Sequence, residues 1–255
     1  MKVTNHCFAI LGLACTPPWT VNTGFVIGQT QTLVIDTGAN ALAAATIYGY
    51  ATAVRSTNQL LVINTEQHLD HLSGNAYFHA RHISIYGHAN IARRDADLLA
   101  EQQEYNACIP NQVRRTQQEG RLFFEQTSIV NPNHPITEPT SWNLGALEVK
   151  ILLTPGHTPT NLAIYIPEDR VVFCGDCIVN GYLANLEGGT RYDWEQWLHS
   201  LDALAVLQLD YIIPGHGHVL AGAQIAAEIQ RIRLIVQTAL RTGVAPTLTG
   251  SVTET

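Results

Sequence analysis

"NTEQHLDH", residues 64–71, carries two carboxylates and two imidazoles between Glu66 and His71. In an extended segment alternate side chains point to the same side, so Glu66, His68 and Asp70 are expected to converge while His71 turns away. Carboxylates and imidazoles are common ligands of divalent metal ions. The spacing therefore indicates a site for two neighbouring ions, although a polar strand end with hydrogen-bonded histidines would show the same residues.

Three later motifs each add one residue that can ligate a metal ion. "TPGHT" contains His157, "CGDC" contains Asp176 and "PGHG" contains His216. Each motif follows a strand-like run, so the loops are expected to face one shared mouth. These motifs favour the metal site over the polar strand end.

Strand-like runs occur in two groups along the chain. The first group is "NTGFVIG", "TLVIDTG" and "LLVINTE", and the second is "ALEVKILLTPG", "NLAIYIP" and "RVVFCGDCIV". Between them, residues 92–126 are polar with a helical pattern, which predicts a helical insertion that either forms a lid over the pocket or packs its aromatic residues into the body. Leu98, Leu99 and Tyr105 are expected on one face of a helix in this insertion, and Phe123 and Phe124 follow later.

Two later helices and a first strand are also predicted. Asp193 with Gln196 has the spacing of a helix start, and the apolar face behind it consists of Trp194, Trp197, Leu198, Leu201 and Leu204. A last helix is indicated by the helical spacing of Ile225, Ile229, Ile232, Val236 and Leu240. The short apolar run at residues 8–14 favours a strand over the core of a signal peptide.

Composition limits the possible classes of protein. Of 255 residues, 46% are hydrophobic and 14% are charged, which predicts a folded globular chain. The net charge of −7 and the absence of a Lys/Arg cluster argue against a nucleic-acid partner. No apolar run approaches the roughly 18 residues of a membrane span. Five cysteines are an odd number at irregular spacing, so a reducing cytoplasmic location is expected.

Five motifs in a fixed order carry a resemblance to a known family. They are "VIDTG" with Asp36, "NTEQHLDH", "TPGHTPTN", "FCGDCIV" and "IIPGHG". In type and order they resemble the signature of the metallo-beta-lactamase superfamily over nearly the whole chain. The resemblance implies an α/β (α+β) fold, an αββα four-layer sandwich with metals at one edge. It also implies a single domain over residues 1–255, with a helical insertion at about 90–130.

The resemblance also implies a ligand set. One metal would be held by Glu66, His68 and His157, the other by Asp70, His71 and His216, and Asp176 would bridge them. Asp36 matches a residue that orients the site, as carboxylates behind metal-binding imidazoles do. A turn-forming role for Asp36 before Thr37 and Gly38 is the alternative.

Glu66 departs from the superfamily pattern, which usually has a histidine at this position. With Glu66, Asp70 and Asp176 ionised, two divalent ions and one bridging hydroxide leave the cluster formally neutral, whereas a histidine would leave it one unit positive. Glu66 is therefore expected to weaken the Lewis acidity and raise the pKa of bound water. Zinc is the first expectation for the two divalent ions, and the carboxylates make manganese or iron possible.

The resemblance implies a hydrolase that uses the binuclear site to cleave an ester-like bond in a small molecule, such as a thioester or a lactone. Asp176 in a Gly-Asp turn marks the glyoxalase II and lactonase branches, and Asp70 is the expected catalytic residue, as a ligand that also accepts the nucleophile's proton. The alternatives are an iron-dependent sulfur dioxygenase-like enzyme, a small-molecule phosphodiesterase, minor β-lactamase activity and a non-catalytic metal-binding relative. The expected partner is a small-molecule substrate, with no nucleic acid and no membrane.

Three further residues allow two interpretations each. Cys174 and Cys177 have the spacing of a thiol redox pair, but packing is the preferred interpretation. Tyr182 follows Asp176 by six residues. It is expected to be a buried structural tyrosine, with substrate contact as the alternative.

Overall fold

Two six-stranded β-sheets form the middle of the fold in the computed structural model, which describes residues 1–13, 20–108, 127–186 and 189–245. The first sheet has the order β1 (Cys7–Leu13), β2 (Val21–Ile27), β3 (Gln31–Ile35), β4 (Gln59–Ile63), β5 (Ser84–His88) and β6 (His134–Ile136). The second has the order β7 (Thr140–Asn143), β8 (Glu148–Leu153), β9 (Leu162–Ile166), β10 (Val171–Phe173), β11 (Tyr211–Ile213) and β12 (Leu220–Ala221). The two predicted groups of strands thus form separate sheets.

Helices connect the strands and cover the sheets. They are α1 (Ala41–Val54), α2 (Leu69–Leu72), α3 (Asn75–His79), α4 (Asp95–Cys108), α5 (Arg191–Ala205) and α6 (Ala223–Thr242), with a 3-10 turn at Gly175–Cys177. No helix in the described part of the chain is both long enough and apolar enough to span a bilayer.

Strand β3 shows how the first sheet is covered on both faces. Leu33 and Ile35 belong to a buried cluster with Val149 and Ile151 of β8, whereas Val34 packs in another cluster with Ile47 of α1. Alternate residues of a strand point to opposite faces, so this sheet is apolar toward both a helix and the other sheet.

The second sheet is covered by α5 and α6. Trp197 and Leu201 of α5 and Ile232 of α6 pack in one buried cluster with Val172 and Ile212 of the sheet. The predicted apolar faces of both helices are therefore confirmed. The layers follow in the order helix, sheet, sheet, helix, which confirms the predicted αββα sandwich.

Helix α5 begins earlier than predicted. Thr190 is the N-cap, its side chain accepts a hydrogen bond from the Asp193 backbone N–H, and the Asp193 carboxylate accepts one from the Thr190 backbone N–H at 2.7 Å. Asp193 is therefore the third helical residue and not the cap, because the capping box lies three residues before the predicted one.

The predicted helical insertion is described in part. Helix α4 lies within it, and Leu98 is buried against Leu69 and Leu72 of α2, but Leu99 is 56% exposed. The predicted shared face is wrong for Leu99, since consecutive helical residues point about 100° apart. Residues 109–126 and the Tyr105 side chain lie outside the description, so the lid and the single-domain organisation stay predictions.

Candidate metal centre

Two neighbouring parallel strands of the first sheet bring Asp36 and Glu66 to one edge. Strand β3 ends beside the end of β4, with Ile35 opposite Ile63. Asp36 follows β3 with a φ of 60°, and its backbone N–H donates to the Ile63 carbonyl at 2.9 Å. The segment that contains Glu66 follows β4. The carboxyl ends of adjacent parallel strands meet at one edge, which explains the proximity.

The segment at residues 64–71 is not extended, so the predicted alternation of its side chains is wrong. It bends after Asn64, and α2 begins at Leu69. The Asn64 side-chain amide donates to the His71 carbonyl at 3.2 Å, and the Thr37 backbone N–H donates to the same carbonyl at 2.8 Å. These bonds fold the segment back onto the end of β3.

Three loops of the second sheet supply the remaining residues. His157 lies between β8 and β9, Asp176 lies in the 3-10 turn after β10, and His216 follows β11. The strand-like run "RVVFCGDCIV" is shorter in the structure than in the sequence pattern, because β10 ends at Phe173 and "CGDC" follows it. At Gly175, where φ is +50°, a Cβ would lie 2.7 Å from the Thr65 hydroxyl, so glycine permits the turn and its close approach to the first sheet.

The seven predicted ligands lie together in the structure. Their ligating atoms form three groups, each within 4.8 Å: Glu66, His68 and His157; Asp70, His71 and His216; and Glu66, His71 and Asp176. The first two groups correspond to the two predicted ligand sets. The third group places Asp176 beside Glu66 of the first set and His71 of the second.

Buried atoms without partners mark the middle of the cluster. In the described part of the chain, Glu66 Oε1 and Oε2, His71 Nε2 and Asp176 Oδ1 are buried and make no hydrogen bond. Such atoms are costly unless something binds them. Carboxylate oxygens and imidazole nitrogens are ligands that suit divalent ions. The residues present therefore fit the divalent ions that the resemblance implies.

The charges of the cluster stabilise one another. Burial raises the pKa of Glu66, but the charges of His68 and His157 outweigh burial and hold that pKa below its usual value. Burial acts the same way on Asp70, whose pKa is nevertheless lowered to about 2 by His71 and His216. The carboxylates are thus ionised at neutral pH, as metal ligands must be.

Asp36 orients His71. Its carboxylate accepts hydrogen bonds from His71 Nδ1 at 2.9 Å, from the Thr65 backbone N–H at 2.7 Å and from the Thr65 hydroxyl at 2.7 Å. A proton held on Nδ1 leaves Nε2 as the nitrogen that faces the cluster. The structure therefore favours the orienting role over the turn-forming alternative.

Backbone carbonyls orient two more histidines in the same way. His216 Nδ1 donates to the Thr20 carbonyl at 2.6 Å, and His157 Nδ1 donates to the Asn185 carbonyl at 3.1 Å. In both rings Nε2 is left facing the carboxylates. Such partners fix the tautomer of a metal ligand.

The sequence did not reveal the buried asparagine side chains whose hydrogen bonds hold the segments of this site together. Asn75 donates to the Asn64 side chain at 2.8 Å and accepts from the Thr37 hydroxyl at 2.9 Å beneath α2. Asn22 of β2 donates to the carbonyls of Pro214 and Gly217, on either side of His216. A polar residue inside an apolar strand, such as Asn22, is the signal that could have identified them.

The cysteine pair and Tyr182 have distinct surroundings. Cys174 and Cys177 are fully buried, and burial raises the pKa of Cys177 to about 12, which supports packing over redox chemistry. The Tyr182 ring lies 5.9 Å from the His216 ring, and its hydroxyl is 3.3 Å from the Thr20 hydroxyl. Tyr182 is only partly buried, so the prediction of a buried tyrosine is wrong.

Comparison with known proteins gives, among others, two relatives that each cover more than half of this chain. A Caenorhabditis elegans beta-lactamase-like protein 2 homolog is 25% identical over 198 residues, 77% of this chain and 58% of the relative. A Synechococcus hydroxyacylglutathione hydrolase is 30% identical over 146 residues, 57% of this chain and 44% of the relative. The chain thus spans only about half the length of these relatives.

A solved structure shows the same fold. A metallo-beta-lactamase family protein of Thermus thermophilus superposes with a TM-score of 0.69 at 18% identity, over 94% of this chain and 82% of that chain. The family model described as the metallo-beta-lactamase superfamily matches residues 16–216. With the sandwich and the ligand cluster already described, this match shows that the chain belongs to the metallo-beta-lactamase superfamily.

Proposed function

We propose that this protein is a metal-dependent hydrolase with a binuclear centre, and that it cleaves a thioester, a lactone or a related ester in a small molecule. The observation that carries this proposal is the position of Asp176 between two sets of ligands. Its Oδ2 is 3.5 Å from His157 Nε2 and 3.2 Å from His216 Nε2. The hydroxyacylglutathione hydrolases among the relatives support a thioester.

Each ion would have its own ligands. Glu66, His68 and His157 would hold one, and Asp70, His71 and His216 the other, with Asp176 shared. When bound, the ions supply a water molecule of lowered pKa and a Lewis acid for the substrate oxygen. Zinc is the first choice, and the three carboxylates also suit manganese or iron.

Asp70 is the proposed proton acceptor. Its Oδ2 lies 3.3 Å from His216 Nε2, and its side chain is 14% exposed, so it belongs to the ligand cluster and is partly open to solvent. Held ionised by the neighbouring histidines, the carboxylate accepts the proton of the attacking water as the ester bond breaks.

A substrate screen tests this function. Protein loaded separately with zinc, manganese and iron is offered thioesters, lactones, phosphodiesters, sulfate esters and a β-lactam. We expect turnover of a thioester or lactone, and loss of most turnover in Asp70→Asn and His216→Ala. Asp210→Asn, a matched change at a half-exposed carboxylate paired with Arg170, keeps full activity. Retained activity in both site variants, with unchanged circular dichroism, contradicts the mechanism.

One ligand set favours a second candidate, an iron-dependent sulfur dioxygenase-like enzyme. Glu66, His68 and His157 are two histidines and one carboxylate, the ligand type of many non-haem iron oxygenases. Oxygen uptake by the iron-loaded protein with glutathione persulfide would support this activity. Ester turnover without oxygen uptake would reject it, and full metal content without either activity would indicate a non-catalytic relative.

A further inference from the structure

The Glu66 carboxylate faces both ligand sets. Its Oε2 is 3.1 Å from His68 Nδ1, and its Oε1 is 3.5 Å from His157 Nε2, both in its own set. The same Oε1 is 3.4 Å from Nε2 of His71, which belongs to the other set. Glu66 is therefore close to nitrogens that would bind different ions.

Asp176 has the same relation to the two sets. Its Oδ2 lies near His157 and His216, one from each set, and its Oδ1 is 3.3 Å from His71 Nε2. Glu66 and Asp176 thus both place an oxygen between His157 and a histidine of the second set. If this position makes Asp176 a bridge, the same geometry applies to Glu66.

Both Glu66 oxygens are available for such a role. The side chain is completely buried, and within the described residues neither oxygen makes a hydrogen bond. A buried carboxylate with two unpartnered oxygens leaves two acceptor groups unsatisfied. A single ion on one oxygen would leave the other without a partner.

We propose that Glu66 is a second bridging carboxylate, with Oε2 on the ion of His68 and Oε1 on the ion of His71. This assignment rests on the proposed binuclear centre. An imidazole at residue 66 would offer one nitrogen toward the cluster and could bind only one ion, whereas a carboxylate offers two oxygens. The exchange of histidine for glutamate therefore links the two ions through a ligand that the usual pattern lacks.

A shared ligand couples the binding of the two ions, because the first ion fixes the carboxylate in place for the second. Replacement of Glu66 would weaken the cooperativity between the two ions. The histidines of both ligand sets would remain in place. The coupling is measurable without any substrate, in the binding curve and in the magnetic interaction of two paramagnetic ions.

Manganese binding to the chelator-treated protein tests the bridge, by calorimetry together with electron paramagnetic resonance. We expect the wild type to bind about two ions, the second at least as tightly as the first, so that a spin-coupled signal is already present at one equivalent. Glu66→His is expected to separate the two dissociation constants by at least about tenfold, the scale of lost ligand support, and to show isolated manganese at one equivalent. Glu66→Gln is nearly isosteric with the wild type and also removes one carboxylate oxygen. It therefore provides the same test if the histidine variant does not fold.

The control is Glu148→His, at a half-exposed glutamate of β8, which is expected to bind manganese as the wild type does. Equal coupling in wild type, Glu66→His and Glu66→Gln overturns the bridge while the binuclear centre stands. A manganese-loaded crystal structure with Glu66 on one ion only overturns it in the same way. Failure of the wild type to bind more than about one ion contradicts the binuclear centre as well.

Discussion

At the scale of single residues, hydrogen bonds to the His71 carbonyl and ring hold residues 64–71 at the candidate centre. The motif order identified all seven ligand candidates that the structure brings together. The conformation of residues 64–71 depends on bonds from Thr37 and Asn64 to the His71 carbonyl, which are set by tertiary packing. Strand alternation takes no account of such bonds, so it predicted the wrong local geometry for these residues.

Asp36→Asn tests how strongly one orienting carboxylate supports the centre. The amide removes the charge that faces His71 Nδ1 and one acceptor of the Thr65 bonds. We expect metal affinity to fall by about 10–100-fold, with the secondary structure retained. The measurement is metal titration followed by mass spectrometry, with Asp202→Asn as the exposed control. Unchanged affinity would show that Asp36 has only a backbone role.

At the scale of elements, helix α5 packs in the core and also contacts the candidate metal centre through Trp197. The Trp197 indole N–H donates to the Cys177 carbonyl at 3.0 Å, and its ring lies 5.6 Å from the His157 ring. The apolar face that includes Trp197 was predictable from its spacing. The start of the helix was not, because Thr190 and Asp193 both fit a capping sequence and only the backbone decides between them.

Trp197→Phe removes the hydrogen bond of this residue together with part of its volume. The smaller ring leaves the Cys177 carbonyl without its buried donor and leaves space in the core, so we expect a loss of about 1–3 kcal/mol in the free energy of unfolding. Urea denaturation measures the loss. Trp194→Phe, whose indole donates to the Leu186 carbonyl, is a comparison on the same helix face. No loss at residue 197 would contradict this role.

The segment that precedes strand β1 is hydrogen-bonded to Asp169, in the turn between β9 and β10. This carboxylate accepts hydrogen bonds from the Thr4 hydroxyl and from the His6 backbone N–H and ring. Burial raises the pKa of Asp169, but these bonds outweigh burial and lower it below the usual value. The bonds are thus expected to stabilise the fold most when the carboxylate is ionised.

The pH dependence of the free energy of unfolding tests the contribution of these hydrogen bonds to Asp169. Because the folded pKa is lowered, the contribution of Asp169 is present above the unfolded pKa of about 4 and is lost as the pH falls through the folded value. The difference in unfolding free energy between wild type and Asp169→Asn should therefore shrink between about pH 6 and about pH 3. Urea titrations at each pH measure it, and a constant difference would contradict the prediction.

At the scale of the whole molecule, the centre is assembled from two sheets. Glu66, Asp70 and His71 follow strands of the first sheet, whereas Asp176 and His216 follow strands of the second. His71 Nε2 and Asp176 Oδ1 meet at 3.3 Å across this boundary. The sandwich was predicted from the family resemblance that the order of the motifs carries, and two separate groups of strand-like runs agreed with it. Metal binding is therefore expected to stabilise the packing of one sheet on the other.

Metal content per chain tests the binuclear centre most directly. Protein purified without added ions is analysed by mass spectrometry, and its melting temperature is compared before and after removal of metal by a chelator. We predict about two divalent ions per chain and a lower melting temperature after their removal. Fewer than about one ion per chain, with a melting temperature that the chelator leaves unchanged, would contradict the account.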